Sequence, residues 1–402
     1  MKLNLHYVIL IFYFFAFQFS EAQQENKKCL CELLEQSEAN DKKVIELATE
    51  IEESFHNLSQ EGFQKHFDSQ SFMESILSGT GADTNDSFTR GFIEGVGDTS
   101  KKLGLKILNE INNGAYYNLV NYHYDVPEKA YYFSFRLYSE ETGINYHDYK
   151  VCSDGENINV NDIYIYLSGE HISETIKRIF KISLSEKDND SIDPEDSTIN
   201  GVFQVLNARK LAESGKPKEA FEKLNKIKGP LVEEKYFLLI KILFAASVND
   251  EIYEDTIAEF AKLYPEDPTL YIKLIDYYIL KENYKLVQEN LDKLIFETED
   301  DFLNLIKAHI YLIQEDYVNA EKYFNYIKEN YPEIFDAYIG EMVSLTYQEK
   351  FKKAIEIAQV LVDEGYDKQE LMKFFEEKEP DGTNQLEALI TSDEYKKWEK
   401  KS

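Results

Sequence analysis

The sequence predicts a multidomain chain: an N-terminal α+β unit, helices followed by a four-stranded antiparallel meander, and then an all-α solenoid of stacked helical hairpins. Two periodicities and one repeat predict it. Between residues 44 and 111 apolar side chains recur three and four apart, as on one face of a helix, whereas between 116 and 167 they alternate, as on a strand. Further on, the segments beginning at Gly201, Glu234, Pro268, Asp301 and Phe335 follow one another at intervals of 33, 34, 33 and 34 residues. A fixed period of that size marks helical hairpins that bury their apolar faces only against their neighbours.

Residues 1–22 read as a secretory signal. Lys2 supplies the positive start, residues 8–19 (VILIFYFFAFQF) form an apolar run, and Ser20-Glu21-Ala22 is a small-x-small cleavage site. The run is too short to span a bilayer as a stable helix. Cys29 follows Asn26-Lys27-Lys28 rather than small apolar residues, which argues against a lipoprotein signal. The expected location is therefore outside the cytoplasm, periplasmic or extracellular, with no membrane binding beyond the signal. Residues 23–42 are a polar segment. Of the three cysteines, Cys29 and Cys31 form a Cys-x-Cys pair without a second pair to complete a zinc site. The pair could clasp a metal or hold a strained disulfide; the plainer alternatives are a bond from one of them to Cys152, with one thiol left over, or three free thiols.

The α+β unit covers residues 43–185. Val44, Leu47, Ile51 and Phe55 mark one helix, and Phe63, Phe67, Phe72, Ile76 and Leu77 a second, shorter unit. Phe92, Val96, Leu103, Ile107 and Ile111 mark a third, over 88–111, stopped at Asn112-Asn113-Gly114 because Gly and Asn tolerate the left-handed cap conformation. Strands are predicted over 116–126, 130–139, 144–152 and 157–167, separated by turns at Pro127-Glu128-Lys129, Glu141-Thr142-Gly143 and Ser153-Asp154-Gly155-Glu156. In the last strand Ile158, Val160, Asp162, Tyr164 and Tyr166 are expected on one face. A closing helix is expected over 171–180. By its order of elements, and by Phe67-Asp68 and Asp162-Ile163-Tyr164, the stretch 43–180 resembles the ketosteroid-isomerase-like, or cystatin-like, α+β roll. That resemblance implies a curved sheet wrapped over helices, in a family containing enzymes and many more ligand-binding members.

Residues 186–198 are an acidic linker, with a proline and little to bury. The repeats occupy 199–366. Ala220, Ala320 and Ala354 fall at repeat position 20, and Leu224, Ile257, Leu291, Phe324 and Ala358 at position 24. Pro265 and Pro332 fall at position 32, after the second helix has ended. The turns Glu315-Asp316-Tyr317-Val318-Asn319-Ala320 and Glu349-Lys350-Phe351-Lys352-Lys353-Ala354, with Ala208 and Ala308 at position 8, resemble those of tetratricopeptide repeats. The copy at Glu234 departs from the pattern, with Lys241 and Tyr253 at the small-residue positions. In that family the first helices line a concave groove. Carried over, the resemblance implies a partner groove formed by Val205, Arg209, Leu238, Ile242, Ile272, Asp276, Ile279, Leu305, His309, Leu312, Ile339 and Val343. Such a groove suits an apolar helix or peptide, or is filled from within by the roll or the tail. Residues 367–402 are an amphipathic tail that reads as the capping helices a solenoid needs.

With 75 acidic against 44 basic side chains the net charge is -31, which repels phosphate backbones and anionic lipid surfaces. Nucleic acid is excluded as a partner; a basic protein or peptide is not. Gly91, Gly95, Gly97 and Gly104 lack the Lys-Ser/Thr of a phosphate loop, no Gly-x-Ser-x-Gly occurs, and no histidine pair has metal-helix spacing, so no cofactor is expected. The first functional expectation is an exported, non-enzymatic interaction scaffold. The alternative is a ligand-binding or isomerase-type roll tethered by the repeats, in which His123, Arg136, Tyr146, His147 and Asp162 converge, with Asp162 as general base.

Overall fold

The computed structural model describes residues 34–100, 102–139, 143–155, 157–187, 197–264, 269–378 and 382–400. The predicted signal, Cys29, Cys31, Pro265 and most of the acidic linker lie outside the described residues. Three layers follow one another: helices, an antiparallel sheet and a second set of helices packed consecutively.

In the first layer α1 (Glu38–His56) is capped by Ser37, whose hydroxyl accepts from the Asn40 amide. Its Val44, Leu47, Ala48, Ile51 and Phe55 are buried, the stripe that the spacing predicts. The second predicted unit is two helices, α2 (Glu61–His66) and α3 (Ser69–Leu77). The break falls at Phe67, which bridges Val160 in the sheet, while the Asp68 carboxylate accepts from Gln70 and Ser71 and starts α3 afresh. The third predicted helix is likewise divided, into α4 (Ser87–Ser100) and α5 (Leu103–Asn112).

The sheet has five strands, not the four expected: β1 (Tyr116–Asp125), β2 (Ala130–Ser139), β3 (Gly143–Ser153), β4 (Ile158–Ile165) and β5 (Glu170–His171), each antiparallel to its predecessor. The extra strand takes His171 out of the predicted closing helix, which begins one residue later as α6 (Ile172–Lys187). One face carries Tyr117, Phe133, Phe135, Tyr149, Val151, Val160 and Ile163 into a core shared with α1–α3 and α5. Burying an aromatic side chain of this size contributes about 1.5–3 kcal/mol, so these residues anchor the sheet to the first layer. Val160 and Asp162 do not share a face as period-two counting expects. Val151 pairs with Val160 and Lys150 with Asp162, so a bulge at Asn161 inserts one residue and reverses the phase.

The second helical layer consists of α7 (Thr198–Glu213), α8 (Pro217–Leu224), α9 (Lys235–Ala246), α10 (Asp250–Leu263), α11 (Thr269–Leu280), α12 (Tyr284–Thr298), α13 (Asn304–Ile313), α14 (Tyr317–Asn330), α15 (Phe335–Tyr347) and α16 (Phe351–Asp363). Each packs against its neighbours in sequence. A device recurs between the paired helices. Gly215, Glu282, Glu315 and Glu349, all at repeat position 15, have φ of 78°, 52°, 59° and 56°. After each, the next amide reaches back to a carbonyl five residues earlier, as Asp316 does to Tyr311 at 2.9 Å and Lys350 to Leu345 at 2.9 Å. This left-handed cap turns the chain from one helix into the next. The tail, α17 (Lys368–Glu376), α18 (Glu387–Ile390) and α19 (Asp393–Glu399), buries Leu371, Phe375, Leu389, Tyr395 and Trp398 against α15 and α16.

The sheet's other face meets this second layer. Tyr138, Ile144 and Tyr146 share a core with Ile272, Leu291, Phe302 and Leu305. At its centre Arg136 Nη1 donates to Asp300 Oδ1 at 2.7 Å, with both side chains almost wholly buried, and Tyr146 Oη donates to Asp300 Oδ2 at 2.7 Å. The Arg136 guanidinium lies 3.6 Å from the Phe302 ring centroid, a desolvated cation–π contact. Near the acidic linker, the Glu186 carboxylate accepts from the amide and hydroxyl of Thr198, both at 2.9 Å, which joins the end of α6 to the start of α7.

Candidate functional site

Sheet residues and Glu297 of α12 line an open cavity of about 350 Å³. The cavity is lined by His123, Asp125, Glu128, Tyr132, Asp148, Tyr164, Tyr166 and His171, with Glu297 contributed by α12. Strand register makes the site. Ser134, Asp148, Tyr164 and His171 are successive cross-strand partners in one row, and His123, Tyr132, Lys150 and Asp162 in the next. Partners directly opposite on one face stand close enough for side chains to touch. His123 thus stacks on Tyr132 with centroids 5.4 Å apart, and Tyr164 meets His171 edge-on at 5.4 Å.

Asp148 forms the floor and is only 6% exposed. It is hydrogen-bonded by Ser134 and Tyr166, yet its Oδ1 is buried and accepts no hydrogen bond. Burial pushes its carboxyl above the usual aspartate range, because the charged form loses hydration that its partners only partly replace. Tyr132 Oη donates to Glu128 at 2.7 Å, and Lys150 Nζ lies 2.5 Å from the same carboxylate. Burial opposes ionisation of Glu128, but the bonds from Lys150 and Tyr132 bring its carboxyl below the ordinary value. The Lys150 charge is thereby paired with a carboxylate. Asp125, Asp148 and Glu297 leave the cavity with an excess of carboxylates over cations, walled by tyrosine rings.

The five residues expected to converge do so only in part. His123 lines the cavity. Asp162 is buried behind it, with Oδ2 3.7 Å from His171 Nδ1. Its carboxylate also accepts from the Ser173 hydroxyl and from the amides of Ile163 and Ser173, so it caps the start of α6 rather than facing a ligand. Arg136 and Tyr146 lie on the same face but are committed to Asp300. His147 points to the opposite face, as its adjacency to Asp148 requires, where its Nδ1 is 3.0 Å from Tyr117 Oη and its Nε2 is 3.0 Å from the Asn145 side chain. Burial holds its imidazole down at about 4. Sequence reasoning missed Asp148, Tyr132 and His171 as one site. Pairing β2 with β3 through the turn before Gly143, rather than reading each alone, is the signal that places Asp148 beside Ser134, whereas its pairing with Tyr164 is hidden by the bulge at Asn161.

The expected groove positions divide. Val205, Leu238, Ile242, Ile272, Leu305 and Val343 are buried within the chain's own cores. Leu305 in particular belongs to the core cluster that also holds Tyr138, Ile144 and Tyr146 of the sheet. Ile279, His309, Leu312 and Ile339 are half-buried, and Arg209 and Asp276 are exposed. The His309 ring meets Phe324 edge-on at 5.0 Å, and the Asp276 carboxylate accepts from Tyr253 at 3.1 Å.

Among the described residues, no group of three or more His, Cys, Asp or Glu is placed to hold a metal ion, and no helix is long and apolar enough to cross a membrane. Cys152 is disulfide-bonded, and Cys29 and Cys31 are the only other cysteines in the chain. Compared with protein-family models, curated proteins and solved structures, the chain matches none.

Proposed function

We propose that the protein is an exported, non-enzymatic binding protein that captures a small ligand in the cavity where the sheet's second face meets α12. One observation carries this reading: Asp148, a lining residue of the open cavity, keeps a buried carboxylate oxygen, Oδ1, that accepts no hydrogen bond. A polar atom left so costs about 1–3 kcal/mol, a cost that a bound donor would relieve. The cavity's volume falls in the range of small-molecule sites. Glu297 makes the second layer a wall of the site and not merely a tether. The disulfide at Cys152 and the signal-like first 22 residues support an oxidising compartment outside the cytoplasm. Glu297 is exposed, so Glu297→Trp would fill the mouth without disturbing the core. In a thermal-shift screen of neutral, acidic and basic small molecules, hits should raise the Tm of the natural chain and not that of Glu297→Trp. Equal shifts in both proteins, or none in either, overturn the reading.

A second reading keeps the tetratricopeptide-like character of the hairpins and gives them a protein partner. It is favoured by α7, where Ile199, Phe203 and Leu206 stand 41%, 60% and 49% exposed at helical spacing. Phe203→Glu with Leu206→Glu should abolish crosslinked capture of that partner; capture that survives both changes rules the surface out.

A further inference from the structure

Resting on the cavity reading above, we infer that the ligand is an organic cation bearing N–H donors, a primary amine joined to an aromatic group. Asp148 Oδ1 is an acceptor without a donor, so the ligand must bring a hydrogen. Ser134 and Tyr166 already hydrogen-bond this carboxylate, and Oδ1 is its buried oxygen without a partner, a single acceptor rather than the pair that a guanidinium fork would grip. A compact ammonium fits that single acceptor.

The walls agree with the floor. Asp125 and Glu297 add carboxylates to the lining, while Lys150, the cross-strand partner of Tyr132, is held by Glu128. An anion entering here would meet carboxylates on several sides. Tyr132, Tyr164 and Tyr166 present aromatic rings around the same space, with His123 stacked on Tyr132 at the rim. Such rings attract a cation through their faces and stack on an aromatic body. The chain's net charge of -31 favours the approach of a cation over distances beyond contact.

Isothermal titration of the full chain with 2-phenylethylamine, its trimethylammonium analogue and 2-phenylethanol separates the possibilities. The amine should bind, the quaternary analogue about tenfold or more weaker, and the alcohol weaker still, since each replacement removes donor or charge. Asp148→Asn should weaken amine binding by about tenfold or more, and Glu297→Gln by about two- to threefold. Asp148→Asn should leave the Tm equal or higher, because it removes a buried charge, which separates lost recognition from lost folding. Equal affinity for amine and quaternary analogue, or an unchanged affinity in Asp148→Asn, overturns the inference. If neutral or acidic compounds bind and Glu297→Trp blocks them while amines do not bind, the inference fails and the cavity reading stands. If no compound of any class binds, both fail. Tight binding confined to a lysine-bearing peptide, with free amines inert, also overturns it.

Discussion

Arg136 in β2 and Asp300, 164 residues further along the chain, form a 2.7 Å ion pair at the centre of the contact between sheet and helices. Asp300 also accepts from the Tyr146 hydroxyl and from the Phe302 amide, so a single carboxylate satisfies three donors from two layers. Breaking such a pair by removing one partner leaves an uncompensated buried charge. We therefore expect Asp300→Ala to destabilise the protein by about 3–5 kcal/mol in urea unfolding. A loss below about 1 kcal/mol would mean that Arg136 finds water and that the junction is not desolvated.

The left-handed caps give a prediction of opposite sign. Glu315 and Glu349 hold positive φ where Gly215 holds it without steric cost. Glu315→Gly should stabilise by about 0.5–1 kcal/mol, the left-handed penalty exceeding glycine's greater freedom in the unfolded chain. A lower denaturation midpoint in the variant would show that the glutamate side chain contributes more than its backbone costs.

Two other glycines should respond differently to the same substitution. A Cβ on Gly340 would overlap the buried Phe324 ring between α14 and α15, whereas one on Gly91 in α4 meets nothing within 4 Å. Gly340→Ala should cost about 1–3 kcal/mol by overpacking. Gly91→Ala should gain about 0.5–1 kcal/mol from helix propensity. Thermal unfolding of the two variants side by side decides the point; equal shifts would contradict the packing.

Acid sensitivity should include a contribution from His147. Its folded value near 4 lies below the ordinary 6.5 of histidine. Between those values the unfolded chain binds a proton that the folded chain refuses, so stability falls as pH falls through that window, by up to about 3 kcal/mol. Asp148 and Asp162, both raised by burial, act the other way, favouring the folded state at low pH. Comparing the natural chain with His147→Gln at pH 7 and pH 5 isolates the histidine: the natural chain should lose more on acidification. Parallel losses would place the imidazole in contact with water.

Much of the architecture was legible because periodicity records which side of an element is dry. The stripe from Val44 to Phe55 was visible, and so were consecutive helices such as α13 and α14, which begin and end near the positions that the 33-residue register assigns. The fifth strand was not, since Glu170 and His171 are too few to show alternation. The phase of β4 was lost at Asn161, because counting by two fails across a bulge. For the groove, spacing told which residues share a helical face but not what covers that face; Leu305 lies in a core that also takes in Tyr138, Ile144 and Tyr146, far earlier in the chain. The cavity combines both difficulties, since it depends on register between strands and on Glu297 from a distant helix.

The shared core of Tyr138, Ile144 and Tyr146 with Ile272, Leu291 and Phe302 has a practical consequence. A protease nick between residues 187 and 197 would sever the covalent connection without parting the products, which should co-elute on a sizing column. Made separately, each piece would present a sticky apolar surface and an orphaned charge, Arg136 on one and Asp300 on the other. Mixed together, they should reassemble, since the two parts are linked once through the backbone and again through a shared interior.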